Sequence, residues 1–178
     1  SLPSRGLGDV YKRQNLCLFF YRYQKLMLME NKMRWVRVKT QNGPSYGIIN
    51  NDIISLVRGN LFETIELTGE EIKLANAKIM VPLEPKTFYA AGLNYAQHVI
   101  EQAKANNREP NIPDEPHVGY RANNALIADG EPIIKPNDSS EEFQYEGELV
   151  VIIGKKGKNL TEEEALDIVF GYSIGNDI

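Results

Sequence analysis

Apolar and polar positions alternate from residue 34 onward. Arg34-Trp35-Val36-Arg37-Val38 has the period of two that a half-buried strand requires. The turn cluster Gln41-Asn42-Gly43-Pro44 follows, then a strand over Tyr46–Ile49, a turn at Asn50-Asn51-Asp52 and a strand over Ile53–Val57. This pattern predicts a small antiparallel meander. Leu61–Ile65 reads as a short helix. Ile79–Leu83 reads as a strand or linker broken by Pro82 and Pro85, which puts a domain boundary there. Beyond it, Lys86–Ala91 predicts a strand ending at Gly92, and Asn94 is placed to cap a helix over Tyr95–Ala105. The stretch 106–116, rich in Pro and Asn, is a loop able to close over a site. Gly119–Ile127 and Pro132–Lys135 read as strands joined by the Asp129-Gly130 turn. Residues 143–154 form a long strand whose apolar end, Leu149 to Ile153, implies burial on both faces. Thr161 and Glu164 fit a capping box for a helix reaching about Val169. A last strand begins near Gly171 and meets the chain end at Ile178. A terminus inside an apolar strand leaves backbone groups unpaired, so the sequence is expected to be truncated.

The first 32 residues do not join this pattern. Leu16–Met29 is partly apolar, but Arg22 and Lys25 interrupt it, and it is too short and broken for a membrane span. No small-residue cleavage site follows to make it a signal peptide. Residues 1–14, SLPSRGLGDVYKRQ, resemble a translated adaptor tail. The expected organisation is therefore a non-native or disordered leader over 1–32, a small N-terminal domain over 33–83, and a second, incomplete domain over 84–178.

Composition narrows the chemistry. The chain has 178 residues, 42% hydrophobic and 25% charged, with a net charge of −4. It therefore lacks the general basic character that draws proteins to nucleic acid or anionic lipid. The single cysteine, Cys17, excludes an internal disulfide framework and a cysteine-based zinc cage. With two histidines, His98 and His117, a metal would have to rely on oxygen ligands.

Four places could carry chemistry. Glu146 and Glu148 lie two apart on a strand, so they share a face, and a hard cation would relieve their repulsion. By spacing alone, two solvated surface glutamates are the commoner outcome. Asp177, after Gly175-Asn176, says little alone but would complete a set of three carboxylates. His98 and Glu101 share a helix face at i, i+3, where a carboxylate raises the basicity of an imidazole. Such a dyad could take a proton from water or from a carbon beside a carbonyl, although a surface ion pair, or a histidine capping a local backbone group, is the commoner use of that spacing. Arg121, among small residues, could grip a substrate carboxylate or pair with a neighbouring acid. No P-loop spacing is present.

The order of these pieces resembles the fumarylacetoacetate hydrolase family. Gly92-Leu-Asn-Tyr-Ala-Gln-His98-Val-Ile-Glu101 is similar to its G-x-N-Y-x-x-H-x-x-E segment. Tyr145-Glu-Gly-Glu-Leu149 resembles its E-G-E-L strand, and Gly171-Tyr-Ser-Ile-Gly-Asn-Asp177 its G-Y-x-x-x-N-D strand. The resemblance implies an α+β, mainly β fold: a mixed β-sandwich roll preceded by a small β-rich domain. It implies Glu146, Glu148 and Asp177 as ligands of Mg²⁺ or Mn²⁺, with Ca²⁺ as an alternative. It further implies His98 and Glu101 as the catalytic dyad, and Tyr95 and Arg121 as substrate-binding residues. The expected activity is C–C bond cleavage in small diketo or 2-oxo acids, of acylpyruvate or fumarylacetoacetate type. Decarboxylation or isomerisation of oxo acids is the alternative, as is an inactive truncated fragment. The expected setting is a cytoplasmic homodimer with a small-molecule oxo-acid substrate and no nucleic acid or membrane partner. One departure stands out: many members carry a lysine where this chain has Arg121, which keeps the charge but loses the ability to transfer a proton.

Overall fold

The computed structural model describes residues 33–139 and 144–178. The leader expected over 1–32 lies outside them. The alternation that opens the described chain becomes β1 (Arg34–Thr40), followed by β2 (Gly43–Asn50) and β3 (Ile53–Gly59). The turn between β2 and β3 places Asn51 at φ 52°, a left-handed conformation that asparagine tolerates. β4 (Ile65–Lys73) pairs antiparallel with β3, and the short β5 (Lys78–Ile79) returns to pair antiparallel with β1. The sheet order is β4-β3-β2-β1-β5. Val36 and Val38 of β1 meet Ile54 and Leu56 of β3, with Ile49, Ile72 and Ile79 packed around them. Val38 and Ile54 are fully buried.

The helix expected over Leu61–Ile65 is a turn that leads into β4. Asn60 captures the local backbone instead: its side chain accepts from the Phe62 amide and its carbonyl from the Glu63 amide, each at 3.0 Å. Gly59, at φ +107°, makes the reversal possible, because a Cβ there would collide with the Thr64 carbonyl oxygen.

β6 (Tyr89–Gly92) and β7 (His117–Tyr120) form an antiparallel pair, with α1 (Ala96–Ala105) between them in sequence. Val99 and Ala103, spaced i, i+4, are the buried side of α1. Asn94 is not its cap: the N-cap is Tyr95, without a side-chain cap bond. The strands expected over 119–127 and 132–135 are also absent. β7 ends at Tyr120, residues 123–125 form one 3-10 turn, and 132–135 have no regular structure. Pro132 and Pro136 each remove a backbone donor that a ladder there would need. The Asp129-Gly130 turn does form, closed by a 3.1 Å bond from the Glu131 amide to the Ala128 carbonyl.

The last elements are β8 (Glu146–Ile153), α2 (Glu162–Asp167) and β9 (Val169–Asp177). α2 opens on the expected capping box, in which Thr161 and Glu164 bond reciprocally. β8 and β9 pair antiparallel from Glu146↔Asp177 to Ile153↔Val169, with one irregularity at Ile152/Ile153. Burial on both faces, expected for Leu149–Ile153, is not what forms. Val150 and Ile152 are half-buried, while Leu149, Val151, Ile153 and Ile174 are exposed, Ile174 at 85%. A continuous apolar run shows that both faces are greasy; it does not say how many layers cover them. Phe170 of β9 stacks edge-on against Phe62, with ring centroids 5.0 Å apart. Among the described residues, no helix is long and apolar enough to cross a membrane.

Candidate active site

The β8–β9 register decides which side chains share a face. Glu146 lies directly opposite Asp177, so the two project to the same side, and Glu148 follows two residues along β8 on that side. The three carboxylates expected to act together therefore come from adjacent strands and one face. Asn176 holds this end in place: its side-chain oxygen accepts from the Glu146 amide at 2.9 Å. Sequence reasoning passed over Asn176, although its position beside Asp177 in the G-N-D stretch is the signal that could have found it.

Arg121 reaches this face. Its Nη2 donates to Asp177 Oδ2 at 2.6 Å, and its Nε lies 3.2 and 3.3 Å from the two carboxylate oxygens. The Arg121 amide donates to the Phe88 carbonyl at 2.9 Å, which fixes the base of the side chain beside β6. The Asp177 hydrogen bond, then the Asp177 charge, raises the guanidinium pKa above its ordinary value, and Glu146 and Glu148 add to this. Of the two uses that the sequence allows for Arg121, pairing with a neighbouring acid is the contact that forms.

The α1 residues sit apart from this cluster in their bonding. His98 Nε2 bonds to Gln102 at 2.9 Å, and Glu101 accepts from Gln97 at 2.7 Å. Each uses an i, i+4 neighbour on its own helix, so the imidazole and the carboxylate are not bonded to one another. Both are exposed, as is Tyr95 at the helix start. Leu93, between β6 and α1, takes φ 55°. A left-handed conformation costs a residue with a Cβ about 1–2 kcal/mol, and it is what turns the chain from β6 into α1. On the outer side of the β6–β7 pair, Tyr89 and Tyr120 stack with ring centroids 4.8 Å apart.

The carboxylate face can be tested for a cation on its own chemistry. Among the described residues, no three His, Cys, Asp or Glu side chains are grouped tightly enough to hold an ion as they stand. The donor set nevertheless fits a hard cation: three carboxylates, no competing nitrogen or sulfur, and a face that already draws in a positive guanidinium. Asp177 would have to release Arg121 to join the set.

Residues 87–178 match the profile of the fumarylacetoacetate (FAA) hydrolase C-terminal family, and residues 33–82 match the Rv2993c-like N-terminal profile. A fumarylacetoacetate hydrolase domain-containing protein 2 homolog from Dictyostelium discoideum is 42% identical over 112 residues, covering 63% of this chain and 34% of that protein. The oxaloacetate tautomerase YisK of Bacillus subtilis is 36% identical over 115 residues, covering 64% and 37%. Among solved structures, a 5-carboxymethyl-2-hydroxymuconate delta-isomerase from Mycobacterium smegmatis superposes with a TM-score of 0.68 at 28% identity, covering 82% of this chain and 54% of that one. The chain thus spans about a third to a half of the length of these relatives.

Proposed function

The chain belongs to the fumarylacetoacetate hydrolase family, and from that premise we propose that it serves a divalent-metal-dependent enzyme that cleaves C–C bonds in small 2-oxo or 1,3-diketo acids. The observation that carries this reading is the single face bearing Glu146, Glu148 and Asp177, met by Arg121. These three carboxylates would hold Mg²⁺ or Mn²⁺, with Ca²⁺ as the third candidate. When bound, such an ion stabilises the negative charge that develops on a keto oxygen beside a carboxylate. Arg121 would exchange Asp177 for the substrate carboxylate, to which its planar fork is equally suited. Tyr95, exposed at the start of α1, would contact the substrate body. His98 would take the proton of the attacking water, with Glu101 turning from Gln97 to orient the ring. Both changes require the side chains to leave their partners Gln102 and Gln97 on α1.

A second reading is isomerisation or decarboxylation of an oxo acid. The tautomerase and isomerase activities named for two relatives favour it. It uses the same face, with His98 moving a proton at carbon rather than at water. A cytoplasmic homodimer belongs to either reading.

Two measurements test the proposal. Asp177→Asn should weaken Mn²⁺ binding about tenfold or more in calorimetry, the scale of one lost charge-assisted contact. His98→Ala should lower kcat by roughly 10²–10⁴ with acylpyruvates or oxaloacetate while metal affinity stays unchanged. Wild-type turnover in His98→Ala would remove the dyad from the mechanism, and unaltered Mn²⁺ binding in Asp177→Asn would remove the metal site.

A further inference from the structure

A cavity of about 470 Å³ opens on the side of β1 and β5 that faces away from the N-terminal core, a size that suits a small ligand. Three cations line one wall. Arg37 and Lys39 alternate out of phase with Val36 and Val38, so they leave the core side, and Lys78 joins them from β5. Lys39 and Lys78 are direct antiparallel partners. Like charges so placed repel, and an exposed strand pair would ordinarily set an acid across from a lysine. The nearby acids are committed elsewhere. Glu84 accepts from Arg37 at 2.6 Å, and Glu131 accepts from the Ala128 amide at 2.9 Å. Among the described residues, neither Lys39 nor Lys78 has a carboxylate partner. The guanidinium of Arg37 is buried and held by that bond to Glu84. The lining also has an apolar part, built from Met80, Leu83 and Leu126. It is anchored by a 2.6 Å bond from the Asn123 side chain to the Pro85 carbonyl.

We propose that this cavity is a binding site for a small organic anion, with its oxyanion head between Lys39 and Lys78 and its apolar body against Met80, Leu83 and Leu126. The uncompensated lysine pair supplies the reason for a head group, and the apolar wall supplies the reason for a body. None of these residues belongs to the carboxylate face of β8 and β9, so the site stands whether or not that face binds a metal.

The test is calorimetric titration of the 178-residue chain at low ionic strength with hexanoate, inorganic phosphate and hexan-1-ol. Hexanoate should bind with saturation at one site, at least several-fold tighter than phosphate, and hexan-1-ol should not compete with it. Lys39→Gln/Lys78→Gln should weaken hexanoate about tenfold or more, and Arg58→Gln, which removes an exposed cation of the same sheet outside the cavity lining, should leave it unchanged. The doubly substituted chain should also melt higher than the wild type without anion, because the repulsion is gone. That readout shows the variant is folded. Hexanoate binding that is absent, or unaffected by the double substitution, would overturn the site. Phosphate binding as tight as hexanoate would overturn the organic assignment, and equal binding of hexan-1-ol would overturn the anionic one.

Discussion

The N-terminal sheet and the β8–β9 ribbon are both made of alternating strands with apolar faces, yet the two bury those faces very differently. Five of the eight buried apolar side chains among the described residues, Val36, Val38, Ile54, Leu56 and Val57, belong to the N-terminal sheet. None belongs to the ribbon, where Leu149, Val151, Ile153 and Ile174 are exposed. The sheet shields its apolar side and carries paired charges such as Arg58–Glu66 outside. The ribbon keeps its carboxylates on its better-covered side and leaves its greasier side open. Stability is thus concentrated in one region and candidate chemistry in the other.

Substitutions can break that contrast. Ile54→Ala should cost about 2–5 kcal/mol, the range for truncating a fully buried aliphatic side chain. The paired substitution Ile174→Ala should cost well under 1 kcal/mol, because little area leaves contact. Denaturant unfolding monitored by circular dichroism measures both, and equal losses would show that the ribbon is covered in solution. Next in size is Gly154→Ala, which probes the joint between the regions. A Cβ there would lie 2.8 Å from Phe170 Cβ and 3.3 Å from Phe62 Cδ1. Its expected cost is about 1–3 kcal/mol of overpacking, with a changed aromatic signal in near-ultraviolet dichroism. Arg121→Gln sharpens the chemical side of the contrast: freeing Asp177 should tighten Mn²⁺ binding several-fold in the same calorimetry used for Asp177→Asn.

The smallest effect is one of pH. Bonds from the Thr161 backbone and side chain lower the Glu164 carboxyl pKa. A lowered folded-state pKa stabilises above the ordinary glutamate range and is lost as pH falls through the folded value. Glu164→Gln keeps a capping side chain but should erase this component between about pH 5 and 3. Melting curves across that window would read it as a flatter pH dependence, and an unchanged slope would count against the linkage.

The sequence disclosed the meander well, because turn chemistry at 41–44 and 50–52 brackets strands of clean period two. The capping box at Thr161 was equally legible, since both partners are local. The same holds for the E-x-E and G-N-D stretches that the register joins. What escaped was non-local or competitive. The Leu61–Ile65 segment has helix-compatible residues, and the Asn60 side chain captured the backbone first. The β4 strand was hidden by Thr68-Gly-Glu-Glu71, whose polar character reflects an exposed edge. The exposure of Leu149 and Val151 depends on how many layers pack on a sheet, which no periodicity encodes. The preference of His98 for Gln102 over Glu101 depends on rotamers.

The pairing of Glu146 with Asp177 imposes a parity rule on this part of the chain. Because side chains alternate faces along a strand, inserting or deleting one residue within β8 on the β9 side of Glu148 would carry both glutamates to the face opposite Asp177. A change of two residues would restore them. Variation in strand length here should therefore come in even steps, or be absorbed at the existing irregularity between Ile152 and Ile153. Engineered insertions of one and two glycines after Val150 would show it directly: the first should scatter the acidic face, and the second should return both glutamates to the Asp177 side, with Glu148 in place of Glu146 as the direct partner of Asp177.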